Sequence, residues 1–117
     1  MSEGIPDDVR RRLELGGGLE QLVRSLPAPQ TVQEAADAFD AVSDPARLRM
    51  LWALDRAPLC PCLLREFEPM TNSALSYHLR LLRRAGLVAT TVKSNYRIYR
   101  ATARGRAMLS FLRRAVP

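Results

Sequence analysis

Two cysteines stand one residue apart in LCPCLL, residues 59–64, and they are the only cysteines in the chain. A pair of thiolates can hold a thiophilic metal or metalloid, or close to a disulfide, although so small a ring is strained. Pro61 fits the first position of a helix. Cys60 and Cys62 then sit at a helix N-terminus, where the backbone dipole lowers a thiol pKa. The competing reading makes both cysteines small helix-start residues without a ligand. His78 is the sole histidine and has no ligand-type neighbours in sequence, so a metal-ligand role is not expected for it. Enzymatic chemistry finds no footing. There is one histidine, no Ser/His/Asp set, and Gly16, Gly17 and Gly18 lie between helical stretches rather than after a strand.

Charge supplies the second chemistry. Residues 1–70 carry 8 Lys+Arg and 12 Asp+Glu, whereas residues 71–117 carry 10 Lys+Arg and no carboxylate side chain. The formal net charge of +6 therefore conceals a half at −4 and a half at +10. Such a half is the footprint of a phosphate-backbone binder. A basic but merely solvated surface would be interspersed with counter-charge.

The elements that must position these groups follow from periodicity and caps. Apolar residues make up 47% and charged residues 26% of the chain, an ordinary globular composition. No apolar run approaches the roughly 18 residues a membrane helix needs, and no signal-peptide core is visible, so a cytoplasmic protein with reduced thiols is expected. Residues 1–30 form a preface. It reads as two short helical stretches around the glycines, closed by PAPQ, with Ile5, Val9, Leu15, Leu19, Leu22 and Leu26 in need of burial. Residues 31–117 form the main domain. Thr31 and Glu34 suggest a capping box, followed by an inward stripe of Ala35, Phe39 and Val42. Asp44 and Pro45 start the next helix, with Leu48, Leu51 and Trp52 at helical spacing. The helix starting at the cysteines presents Leu63, Leu64 and Phe67.

TNSALSYHLRLLRRAGLV is the most informative stretch. Thr71 is an N-cap, Leu75, Leu79 and Leu82 mark a buried face, and Gly86 is a stop. Ser73, Ser76, Tyr77, Arg80 and Arg84 occupy the opposite face, the chemistry of a groove-reading helix. Two β-rich runs joined at Ser94-Asn95 then form a hairpin with Lys93, Asn95 and Arg97 near its tip. ARGRAMLSFLRRAV closes as an amphipathic helix through Met108, Leu109 and Leu112. The fold expected is mainly α with a small β-hairpin, a winged helix-turn-helix. Thr71, Asn72, Ser73, Ser76, Tyr77, His78, Arg80, Lys93, Asn95 and Arg97 are the candidate contacts to double-stranded DNA. A protein-interaction module that keeps this fold without binding DNA is the competing class.

Three stretches also resemble the ArsR/SmtB winged-helix repressors: FDAVSDPARLRMLWAL, SALSYHLRLLRRAGLV and YRIYRAT. The resemblance covers roughly residues 33–115. It implies a homodimeric repressor that leaves its operator when an inducer binds, with the N-terminal segments and residues 104–116 at the dimer interface. Many members have glycine in the wing turn where this chain has Ser94-Asn95. The last-helix metal site of the family is missing here, because no Asp, Glu or His follows His78. LCPCLL resembles the thiolate motif of the arsenic-responsive members, with Arg65 in place of their third cysteine. A trivalent arsenical with two open positions would fit two sulfurs. Zn, Cd or Ni would have to recruit carboxylates from Glu3, Asp7, Asp8 or Glu66. A redox-responsive pair without a metal remains the alternative.

Overall fold

The computed structural model describes residues 4–116, so Glu3 lies outside the described residues. The chain divides into two compact units between Val32 and Gln33. In the first unit, α1 (Asp7–Leu15) and α2 (Gly18–Ser25) form a helical hairpin. Asp7 and Asp8 lie in the first turn of α1, where negative charge meets the positive end of the helix dipole. Ile5, Val9, Leu15, Leu19, Leu22 and Leu26 stay exposed in the single chain, Leu15 at 83% and Leu19 at 62%.

The helix α3 (Pro29–Ala41) begins two residues before the expected cap, so Thr31 lies inside the helix and caps nothing. Proline is well suited to the opening of a helix because its missing N–H is not needed there. The inward stripe is also shifted. Ala38, Ala41 and Val42 are buried, whereas Ala35 and Phe39 are exposed. Phe39 instead meets Phe111 edge to face, with ring centroids 6.2 Å apart and both residues half exposed.

The rest of the second unit runs α4 (Pro45–Arg56), α5 (Pro61–Phe67), α6 (Asn72–Arg84), β1 (Val88–Lys93), β2 (Tyr96–Ala101) and α7 (Ala103–Ala115). Its core joins Met50, Leu51 and Leu54 of α4 to Leu64 of α5, Leu75, Leu79 and Leu82 of α6, Leu87 and Leu109. No helix among the described residues is long and apolar enough to cross a membrane.

Local chemistry explains the joints. Thr71 Oγ1 accepts the Ala74 N–H at 3.1 Å and starts α6. Gly86, at φ 74°, ends it in a left-handed conformation, with Leu87 N–H reaching the Leu82 carbonyl and Gly86 N–H the Arg83 carbonyl. Thr102 caps α7 by accepting the Gly105 N–H, while its own hydroxyl donates to the Gly86 carbonyl at 2.6 Å. Gly105 is required by close approach, since a Cβ there would lie 2.2 Å from the Leu87 carbonyl oxygen.

The strands β1 and β2 pair antiparallel in register Lys93↔Tyr96. Ser94 and Asn95 take φ of 51° and 67°, so the two-residue turn forms without glycine. Leu59 adds a strand fragment the sequence did not announce. It exchanges both backbone hydrogen bonds with Tyr99, at 3.0 and 2.9 Å.

Asp44 caps α4 by accepting the Arg47 N–H at 3.0 Å. That bond is the main reason its carboxyl lies below the ordinary carboxylate range, with burial opposing and the Arg47 guanidinium assisting. A depressed folded-state pKa means the stabilisation is present at neutral pH and lost as pH falls through the carboxylate range. Asp44→Ala should cost about 1 kcal/mol at neutral pH. Thermal unfolding of both proteins should show the gap narrowing in acid; a gap that stays constant would show the cap is not ionised.

Candidate nucleic-acid interface and thiol pair

The helix α5, the turn at residues 68–71 and α6 make the helix-turn-helix, and β1 with β2 make the wing. Leu75, Leu79 and Leu82 are buried, and this single stripe leaves the opposite side of α6 free. Ser73, Ser76, Tyr77, Arg80 and Arg84 all lie exposed on that side, as their spacing requires. The Arg80 guanidinium lies 5.8 Å from the centroid of the Tyr77 ring. Arg80, Arg83 and Arg84 together line one surface cavity, in which Arg83 is an addition to the sequence expectation. At the wing, Lys93, Asn95 and Arg97 are exposed beside the tight turn.

Three sequence candidates are already engaged. Thr71 spends its hydroxyl oxygen on the cap of α6. Asn72 accepts from the Arg65 guanidinium through its Oδ1. His78 is half-buried, with its Nδ1 2.9 Å from Nη1 of Arg47. Arg47 escaped the sequence reading. Its partner is 31 residues away, a pairing that no local pattern announces.

Cys60 is the N-cap residue of α5 and Pro61 opens the helix, as expected. Both thiols are free, Cys60 buried and Cys62 exposed, with their sulfurs 2.7 Å apart. The two are not lowered together, as the helix-end expectation had it. The hydrogen bond with Cys62 holds the Cys60 thiol below its ordinary range, helped by the Leu63 N–H and opposed by burial. The same hydrogen bond pushes the Cys62 thiol up, and burial adds to it. Once one thiol ionises, the remaining S–H can bond to the thiolate beside it, so the pair titrates in two coupled steps with the second impeded. Among the described residues, no group of three or more His, Cys, Asp or Glu is placed to hold a metal ion. The two sulfurs are thus a soft donor pair with no third His, Cys, Asp or Glu assembled beside them among the described residues.

Residues 42–91 match a family described as a helix-turn-helix domain. The chain is 40% identical over 73 residues to the transcriptional repressor SmtB homolog of Synechocystis sp., covering 60% of this chain and 55% of that protein. It is 37% identical over 62 residues to the arsenical resistance operon repressor of Bacillus subtilis, covering 52% of this chain and 59% of that protein. The chain thus spans little more than half the length of either relative. A solved ArsR-like transcriptional regulator from Rhodococcus sp. RHA1 is 31% identical and superposes with a TM-score of 0.61, covering 74% of this chain and 82% of that one.

The coupled titration yields a direct expectation. Removing the donor in Cys62→Ala should move the Cys60 thiol upward, seen as thiolate ultraviolet absorbance rising at higher pH than in wild type. An unchanged titration would show that the two thiols are not coupled.

Proposed function

The chain belongs to the ArsR family of helix-turn-helix transcriptional regulators, and on that premise we propose that it is a dimeric repressor that binds duplex DNA and is released by a thiophilic inducer at Cys60 and Cys62. One observation carries the DNA reading. An exposed face of α6 bearing Ser73, Ser76, Tyr77, Arg80 and Arg84 lies in a half of the chain without a carboxylate side chain, beside a wing tipped by Lys93, Asn95 and Arg97. Short hydroxyls at the N-terminal end of a helix suit base edges, and arginines suit phosphates and guanine. Thr71 and Asn72 stand at the entry to that helix, where backbone N–H groups can meet a phosphate.

A second copy of the chain is the natural cover for the exposed Phe39–Phe111 pair and for the apolar residues of α1 and α2. Dimerisation would present two α6 helices to half-sites about one helical turn apart.

Two neighbouring sulfurs with no third ligand beside them among the described residues support a ligand that accepts two thiolates, such as a mono-organo trivalent arsenical, over a divalent metal. An inducer shifts the equilibrium only by binding the DNA-free conformation more tightly. The residue before Cys60 is Leu59, whose backbone pairs with Tyr99 of the wing strand β2. Drawing both sulfurs onto one atom would therefore pull on the wing as well as on α5. Oxidation of the neighbouring sulfurs to a disulfide, across a strained ring, is the competing use of the pair.

Binding to a duplex from the native promoter should be tighter than to random duplex. It should weaken with salt, with about 0.9 added to the log–log slope per phosphate contact. Arg80→Ala should lower that affinity while sedimentation still reports a dimer; equal affinity for both duplexes would overturn the repressor reading. For the thiols, a DNA-release titration under reducing conditions should respond to a methylated trivalent arsenical at least as well as to arsenite. Cys60→Ser and Cys62→Ser should each abolish release while sparing DNA binding. Equal responses from wild type and both variants would place the sensor elsewhere.

A further inference from the structure

His78 is on α6 next to the exposed Tyr77, half-buried, with Nδ1 of its ring 2.9 Å from Nη1 of Arg47. A guanidinium has only donors and keeps its protons in a protein. The bond therefore runs one way: Arg47 donates, Nδ1 accepts, and the proton of the neutral imidazole resides on Nε2. Arg47 is in turn held in place. It is 9% exposed, its Nε donates to the Ala41 carbonyl at 2.8 Å, and its backbone N–H is bonded to Asp44. The guanidinium cannot turn from the histidine without abandoning a buried carbonyl, a costly loss.

We propose that Arg47 is a positioning residue that fixes His78 in its Nε2–H tautomer, so that α6 offers at this position a neutral donor, directed away from Arg47, to a hydrogen-bond acceptor on duplex DNA. The two nitrogens of an imidazole diverge, so a ring tied through Nδ1 turns Nε2 outward from its tether. A free histidine would mix tautomers and could meet a donor or an acceptor. The tethered one admits acceptors only, the shared chemistry of phosphate oxygens and of purine N7 or guanine O6. Tyr77, whose ring is 5.8 Å from the imidazole and tilted against it, flanks the position on the exposed side. This inference rests on the DNA-binding reading, but its first arm needs no DNA.

His78 is the only histidine of the chain, so long-range proton–nitrogen NMR reads its tautomer without assignment. On the full-length protein, at a pH where the ring is neutral, the Nε2–H pattern alone is expected. An Nδ1–H pattern or a mixture overturns the proposal. Arg47→Met keeps the aliphatic stem and removes the donors, and should release a mixture that Arg47→Lys reverses in part. A tautomer unchanged in a folded Arg47→Met protein overturns the tether. Should Arg47→Met fail to fold, the wild-type spectrum and the His78 variants decide. His78→Leu should weaken binding to the native duplex about five- to tenfold, the worth of one hydrogen bond. His78→Gln, which retains a donor, should recover most of it, and wild-type affinity in His78→Leu overturns the donor role. Loss of the difference with 7-deazapurine substitution identifies a base acceptor, and its loss with a methylphosphonate at a single linkage identifies a phosphate; each supports the proposal. Absence of duplex binding by the wild type overturns the DNA contact, while the NMR arm separately reads the tether.

Discussion

Leu75, Leu79 and Leu82 hold α6 to the core along one stripe, and everything offered to a partner depends on how narrow that stripe is. Two residues of every turn remain for solvent, enough for small hydroxyls at one end and arginines at the other. Were the stripe wider, Tyr77 or Arg80 would be drawn into the core, where a charge without a partner is costly. The caps at Thr71 and Gly86 then fix where the stripe begins and ends, so the polar face has a definite length as well as a direction.

The neighbouring elements are arranged around that placement by contacts between residues distant in sequence. Thr102 ties the start of α7 to the end of α6 through the Gly86 carbonyl, and Gly105 lets α7 lie directly on the Leu87 backbone. Arg104 donates to the Ala85 carbonyl at the same joint. Two carbonyls at the C-terminal end of α6, those of Ala85 and Gly86, are thus paired with Arg104 and Thr102 side chains and not left unsatisfied.

What the sequence disclosed follows the range of the forces involved. The cap at Thr71, the stop at Gly86, the turn at Ser94-Asn95 and the thiols at the start of α5 are decided within a few residues, and pattern alone places them. Thr31 shows how such a local rule can lose to a neighbour, since Pro29 opens the helix earlier and leaves the threonine inside it. Phe39 was assigned inward by spacing, yet Ala38 and Ala41 turn that side of α3 to the core and leave the ring to Phe111. The division of labour between the thiols was illegible because it depends on a 2.7 Å contact between side chains, not on helix position. Arg47 and His78, and Leu59 with Tyr99, were illegible for want of any short-range signature.

The Leu59–Tyr99 ladder has a kinetic consequence. Each amide of the pair is closed by the other residue's carbonyl, so neither can meet solvent unless the loop before α5 and the strand β2 part together. Opening events at the two segments are thereby merged into one cooperative step, with a single opening free energy in place of two independent ones.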